Sequence, residues 1–319
     1  MKGLTVVFGA GAIGMRVVRL LQSRGDAVRI AQRNRPGHMP AEVEFCACDI
    51  LDPAAVRSAV EGASQVLISV GFRYDSRLWR TAWPLAMNNV LDACAAIDAR
   101  IVFIDNLYQL GPQNEARRED MALTSVGQKP AILAEVTRIW MASLSRVRLA
   151  ALRCPDFYGP GVDASHIGAT GFGRVAQRKS ALLLAPPDTP HDFAYVPDIA
   201  RAVMSLFDAG DDAYGQAWNM PCAPTLTPRQ ILKLGADAVN RPLKIVAVPL
   251  WMMPMLGLFS RFMKEVHDVA FTWDRPYVVD ASKFKRRFWS DVTPFDHGAA
   301  ETARSYVAAA ETTQSGLRR

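Results

Sequence analysis

Little in this sequence is set up for a disulfide framework or a metal. Its five cysteines, Cys46, Cys48, Cys94, Cys154 and Cys222, are odd in number, and no pair has metal-ligand spacing. Cys46 and Cys48 alternate in a strand-like run and share one face, which rules out a local disulfide or a zinc clamp. Reduced thiols in a cytoplasmic protein without a metal are expected. No apolar run is long enough to span a bilayer: Val248 to Phe259 is short and carries Pro249 and Pro254. No contact with a membrane is expected, and no leader is read before the first strand. Charge is not concentrated either. Lys and Arg total 37 against 31 Asp and Glu, a net +6 spread along the chain. That implies a mild attraction for anionic ligands and argues against a nucleic-acid partner. Internal repeats, a Ser-His-Asp order and a Gly-Lys-Ser phosphate loop are also missing.

What the sequence does have stands at its start. The apolar run Leu4-Thr5-Val6-Val7-Phe8 reads as a buried strand and breaks into Gly9-Ala10-Gly11-Ala12-Ile13-Gly14. Apolar residues at helical spacing follow, from Met15 to Leu21. Strand, Gly-x-Gly-x-x-Gly and helix in this order predict a dinucleotide-binding turn. Gly9 makes the bend, Gly11 lets backbone approach a diphosphate, and Gly14 lets helix pack on strand. The amides of Ala12 and Ile13 at the helix start complete an anion site. The alternative is a bare structural turn.

Strands and helices alternate from there to about residue 155, which predicts a doubly wound parallel sheet. The second strand, Ala27 to Ala31, ends at Gln32 and Arg33 where an NAD-binding chain carries a carboxylate. A cation there suits a 2′-phosphate, so NADP is favoured over NAD; a solvated basic loop is the competing reading. The third strand, Val43 to Ile50, brings Asp49 and Ile50 to the adenine end. The fourth, Gln65 to Gly71, brings Val70 and Gly71 close to the cofactor. Trp79 and Trp83 open a long amphipathic helix and belong either to the core or to a homodimer face. Two further strands are predicted at Arg100–Asn106 and Leu149–Arg153. Residues 1–155 with about 190–215 are assigned to this domain, and 156–189 with 216–319 to a smaller substrate lobe. In that lobe the methionine- and aromatic-rich stretch Trp251 to Met263 would line a pocket, face a partner or, as favoured here, fill the lobe's own core.

Taken together, Gly9 to Gly14, Asp49-Ile50, Arg153-Cys154-Pro155-Asp156-Phe157-Tyr158-Gly159-Pro160-Gly161 and Phe193-Ala194-Tyr195-Val196-Pro197-Asp198-Ile199-Ala200 resemble the extended short-chain dehydrogenase/reductase superfamily, in its NAD-dependent epimerase/dehydratase branch. The resemblance covers nearly the whole chain. It implies a Rossmann core, a C-terminal substrate lobe, Pro155 against the cofactor and Asp156 and Tyr158 against substrate.

The resemblance also implies a Ser or Thr after the fifth strand and a Tyr-x-x-x-Lys on the next helix. Here Asn106 falls at the Ser position, Gly127 at the Tyr position and Ala131 at the Lys position. Tyr108 is a candidate proton donor, with Lys129, just before Pro130, as its relay; a tyrosine packed under the lobe is the plainer reading. His191 would bind substrate or donate a proton, or serve structure alone. Asp198 is expected to cap its own helix. Lys264, Lys283, Lys285 and Arg286 are available to a diphosphate, but their spacing carries no signal for a sugar nucleotide. Two functions remain: an NADP-dependent oxidoreductase or epimerase-like enzyme on a small carbonyl or hydroxyl compound, or a non-catalytic NADP-binding redox sensor.

Overall fold

The computed structural model describes residues 3–37 and 39–316, with side chains described as far as residue 311. It consists of two units. One comprises Met1–Gly111, Glu119–Cys154 and Ile199–Asn219; the other comprises Pro112–Arg118, Pro155–Asp198 and Met220–Arg319.

The first unit is built on β1 (Leu4–Phe8), β2 (Val28–Gln32), β3 (Glu44–Ala47), β4 (Ala63–Ile68), β5 (Arg100–Asp105), β6 (Arg148–Arg153) and, after three strands of the other unit, β10 (Gln216–Asn219). Their order in space is β10-β6-β5-β4-β1-β2-β3, and every neighbouring pair is parallel. Helices α1 (Ala12–Ser23), α2 (Pro53–Val60), α3 (Ser76–Ile97) and α4 (Gln128–Ala142) connect them. Strands buried on both faces need continuous apolar sequence, and β1 supplies it. On α1, Ile13, Val17, Val18 and Leu21 form the buried stripe. Trp79 and Trp83 are core residues: they stack edge to face on each other, and Trp83 does the same on Phe103.

Three details depart from expectation. β3 stops at Ala47, because Asp49 turns the chain: its Oδ1 accepts from the Leu51 amide at 3.0 Å. β5 stops at Asp105, and Tyr108 opens a tight 3-10 turn, Tyr108–Leu110. β10 is a seventh strand too short for its alternation to be read, recognised only by its register against Ala150 to Arg153.

The second unit has two parallel strand pairs, β7 (Asp156–Tyr158) with β9 (Phe193–Tyr195) and β8 (Ala181–Leu183) with β11 (Ile245–Ala247). Around them lie α5 (Arg174–Ala176), α7 (Pro228–Ala238), α8 (Met253–Phe259), α9 (Arg261–His267), α10 (Ser282–Arg287) and α11 (Phe295–Gly316). Helix α6 (Val196–Asp208) carries the chain from one unit to the other. β9 was expected with the first domain; its partner is β7, which keeps it in the second unit. The same holds for residues 112–118, where the Arg117 amide donates to the Val278 carbonyl at 2.9 Å.

The core of this unit gathers Tyr158, Phe172, Phe193, Ile231, Leu232 and Phe295. A Cβ on Gly235 of α7 would stand 2.3 Å from the Phe172 ring, so the helix sits directly on that ring. The stretch Trp251 to Met263 does not fill this core. Of its large apolar residues only Met253 is fully buried.

Candidate functional site

In the first unit a cleft of about 650 Å³ opens at the C-terminal ends of the parallel strands, where the turns after β1, β2, β3 and β4 converge. The three glycines have distinct surroundings. Gly9 has φ +93°, and a Cβ there would lie 2.8 Å from the Ser69 carbonyl oxygen. A Cβ on Gly14 would lie 2.0 Å from the Gly9 carbonyl oxygen, so α1 rests on the turn itself. A Cβ on Gly11 would meet nothing within 4 Å. Gly11 caps α1 without any side-chain hydrogen bond, and no acidic residue stands in the first helical turn, where Ala12 and Ile13 lie. The turn therefore offers an open, positively polarised helix start. Ser69, which sequence reasoning passed over, holds it from behind by donating to the Gly9 carbonyl at 2.8 Å.

One amide of the turn is already engaged. Ala10 N–H donates to Gln32 Oε1 at 2.8 Å, while Gln32 Nε2 donates to the Asn34 carbonyl at 2.6 Å. Gln32 thus ties β2 to the glycine turn and leaves Arg33, exposed on the cleft wall, as the charged group at that end. Arg73, on the segment after β4, is a second cation on the wall. No spacing rule pointed to it. Asp49, Ile50, Val70 and Gly71 line the same cleft. Asn89 of α3 holds the Asp49 turn from inside by donating to the Ile50 carbonyl at 3.0 Å. The thiol of Cys48, also on the wall, is pushed up to about 12 by burial and is no nucleophile.

Asn106 uses its side chain locally: Oδ1 accepts from the Tyr108 amide at 2.9 Å. Because β5 ends before it, strand alternation does not relate Asn106 to Tyr108. Tyr108 is half-buried against the apolar core. Gly127 caps α4 at φ +84°, ψ +159°, a conformation open to glycine. Ala131 lies inside α4. Lys129 was expected at the loop end; it is instead in the first turn of α4, fully buried. Its Nζ is 4.2 Å from the centre of the Tyr74 ring and 5.9 Å from that of Trp79. Tyr74 had not been singled out from the sequence.

Beneath this region runs a buried polar chain. The Asp105 carboxylate lies 3.6 Å from Arg153 Nε and accepts from Gln109 Nε2 at 2.8 Å. Arg153 donates to the Glu119 carbonyl at 3.1 Å. Burial raises the Asp105 carboxyl to about 6, against the opposing pull of Arg153.

In the second unit, β7 carries Asp156 and Tyr158, with Pro155 immediately before it. Tyr158 is buried, which pushes its phenol up. His191 is wholly buried, its ring parallel to Trp273 at 3.8 Å and to Tyr277 at 4.7 Å. Its Nδ1 faces the Thr272 carbonyl at 3.1 Å, so Nδ1 is the donor there. Nε2 is 3.1 Å from Asp156 Oδ2. The Arg117 guanidinium lies 3.6 Å over the Tyr277 ring, and burial pulls its pKa down. His166, beside Trp273, is pushed down to about 4 by burial. Of the Asp156–His191 pair, only Asp156 is reachable from outside. Asp198 does not cap its own helix; its carboxylate accepts from the Thr293 amide at 2.8 Å and the Thr293 hydroxyl at 3.0 Å.

The family model for the NAD dependent epimerase/dehydratase family matches residues 5–220. The chain belongs to that family. Solved structures with the epimerase/dehydratase fold cover almost its whole length. The Thermus thermophilus UDP-glucose 4-epimerase, in complex with NAD, has a TM-score of 0.78 at 20% identity and covers 96% of this chain and 99% of its own. The Thermotoga maritima UDP-glucose 4-epimerase, with UDP-glucose, has a TM-score of 0.79 at 16% identity, with 96% and 99% covered. The Bacillus anthracis dTDP-glucose 4,6-dehydratase, in complex with NAD, has a TM-score of 0.78 at 15% identity, with 97% of each chain covered. At these identities the likeness is one of epimerase/dehydratase fold. A search of curated protein sequences returned no significant match. Among the described residues no cluster of metal-ligating side chains is found and no helix is long and apolar enough to cross a membrane.

Proposed function

We propose that this protein binds NADP in the cleft of its first unit and acts as an oxidoreductase or epimerase/dehydratase-like enzyme on a small carbonyl or hydroxyl compound. The observation that carries the reading is the pairing of the open Gly11 face, at an uncapped helix start, with Arg33 on the same cleft wall. The first suits a diphosphate, the second a 2′-phosphate. That Gln32 spends both ends of its carboxamide on the backbone, and that β2 ends in Gln32 and runs on to Arg33 without a carboxylate, supports NADP over NAD. Bound there, the nicotinamide would supply hydride transfer.

The chain's own residues would bind, orient and move protons. Asp49 and Ile50 would meet the adenine, and Val70 and Gly71 the rest of the cofactor. Asp156 would hold a substrate hydroxyl, oriented by His191 behind it, with Tyr158 as a buried wall. For the proton, Lys129 brings a buried amine against a tyrosine ring. Tyr74 is the ring it touches, and Tyr108, with Asn106 fixing its turn, is the second candidate. Gly127 and Ala131, at the positions of the family's Tyr and Lys, contribute no proton chemistry.

The test is a fluorescence titration with NADP and NAD, followed by an absorbance screen of aldehydes, ketones and alcohols at the nicotinamide band. Preferential NADP binding with turnover on one class is expected. Tight binding with no turnover on any class would make the protein a redox sensor instead.

A further inference from the structure

The second unit carries an apolar surface that nothing above uses. Trp251, Met255, Leu258, Phe259 and Phe262 are 71, 59, 81, 92 and 52% exposed. Trp251 lies in a 3-10 turn before α8, Met255, Leu258 and Phe259 on α8, and Phe262 on α9, with Ser260 between the two helices. The two helices lie against each other: a Cβ on Gly257 would be 3.4 Å from the backbone of Lys264. Leu258 and Phe259, the most exposed of the five, stand at the turn between them. Soluble surfaces carry single exposed apolar residues routinely, but a contiguous group of this size marks an interaction.

The charges around it identify the partner. From Ala238 to Lys264 the sequence holds Arg241, Lys244, Arg261 and Lys264 and no carboxylate. The first carboxylate after this run, Glu265, is buried and lies 3.8 Å from Arg261. The same pattern extends into the strand before it. β11 leads directly into the segment, and its exposed Val246 pairs in register with exposed Leu182 of β8. Lys244 stands beside Val246, and Arg178 and Lys179 precede Leu182; all three are exposed.

A second copy of the chain is a poor occupant. An isologous contact sets the same patch against itself, which would face a basic surface with a second basic surface. A bilayer with anionic headgroups answers both features, taking Leu258 and Phe259 into the acyl boundary, Trp251 at the headgroup level and the cations on the phosphates.

We propose that the α8–α9 hairpin is a peripheral docking surface for anionic phospholipid bilayers. It would dip into one leaflet without spanning it.

The experiment is co-sedimentation of the full chain with vesicles of phosphatidylcholine alone and of phosphatidylcholine mixed with phosphatidylglycerol. Preferential binding to the mixed vesicles is expected, weakened by high salt. L258S/F259S should lower the partition coefficient about tenfold or more, and K244E/K264E should abolish the preference for anionic vesicles. Retained NADP binding and an unchanged Tm would certify that both variants fold. The idea is overturned by no binding to either vesicle, by equal binding to both, or by undiminished binding of L258S/F259S. It is overturned equally if light scattering finds a dimer that L258S/F259S dissociates, since the patch would then be covered by another copy.

Discussion

Lys129 lies fully buried with its Nζ 4.2 Å from the centre of the Tyr74 ring, one residue in the first turn of α4 and the other between β4 and α3. The amine thus lies over the tyrosine ring although the two residues are far apart in sequence. If this pair moves the proton, Tyr74→Phe lowers kcat about 100-fold on whichever substrate turns over. Lys129→Met lowers it similarly. Tyr108→Phe changes kcat less than threefold, roughly, on this reading. Steady-state kinetics of the three variants decides; a loss confined to Tyr108→Phe would move the proton to the turn after β5.

Arg33→Ala should weaken NADP binding about tenfold or more while leaving NAD within about a factor of two, because the phosphate loses a charge-assisted partner and the bare ribose loses none. Fluorescence titration of both nucleotides measures it. Equal losses for the two would remove the cofactor assignment.

Gly11 and Gly14 separate binding from folding. A methyl on Gly14 meets the Gly9 carbonyl at 2.0 Å, so Gly14→Ala should cost about 1–3 kcal/mol of stability in a denaturant titration. A methyl on Gly11 meets no protein atom within 4 Å, so Gly11→Ala should leave stability nearly unchanged. It should nevertheless weaken nucleotide binding, because the methyl enters the space the diphosphate needs.

Asp105 gives the fold a pH signature. Its carboxyl titrates near 6 in the folded state against 3.8 as its ordinary value, so the folded protein holds that proton more tightly than the unfolded chain. Stability from this group is therefore greatest below about pH 4 and falls as pH rises to about 6. Asp105→Asn has no such proton. The stability of the wild type minus that of Asp105→Asn should decline across this window, measured by denaturant unfolding at several pH values. A flat difference would mean that Arg153 fully offsets the burial.

Placing Tyr and Lys where the sequence resemblance aligns the family's pair should fail. Gly127 has φ +84°, where a tyrosine is strained by roughly 1–3 kcal/mol, and α4 begins only at Gln128. G127Y/A131K is expected to lower the Tm and to produce no turnover. Gained activity would show that the helix can start a turn earlier.

What could be read from the sequence is what depends on near neighbours. The apolar run into Gly9-Ala10-Gly11 and the alternation of strands and helices are matters of local spacing, and the parallel sheet with the cleft at its C-terminal edge follows from them. Tertiary structure alone decided the rest. β10 exists because β6 offers it an edge; Lys129 finds Tyr74 because α4 packs beside the start of α3; Trp251, Leu258 and Phe259 stay outside because α8 and α9 fold against each other and, of α8, only Met253 is fully buried. Such outcomes turn on which surfaces meet across long stretches of chain, and periodicity within a segment carries no record of its eventual neighbour.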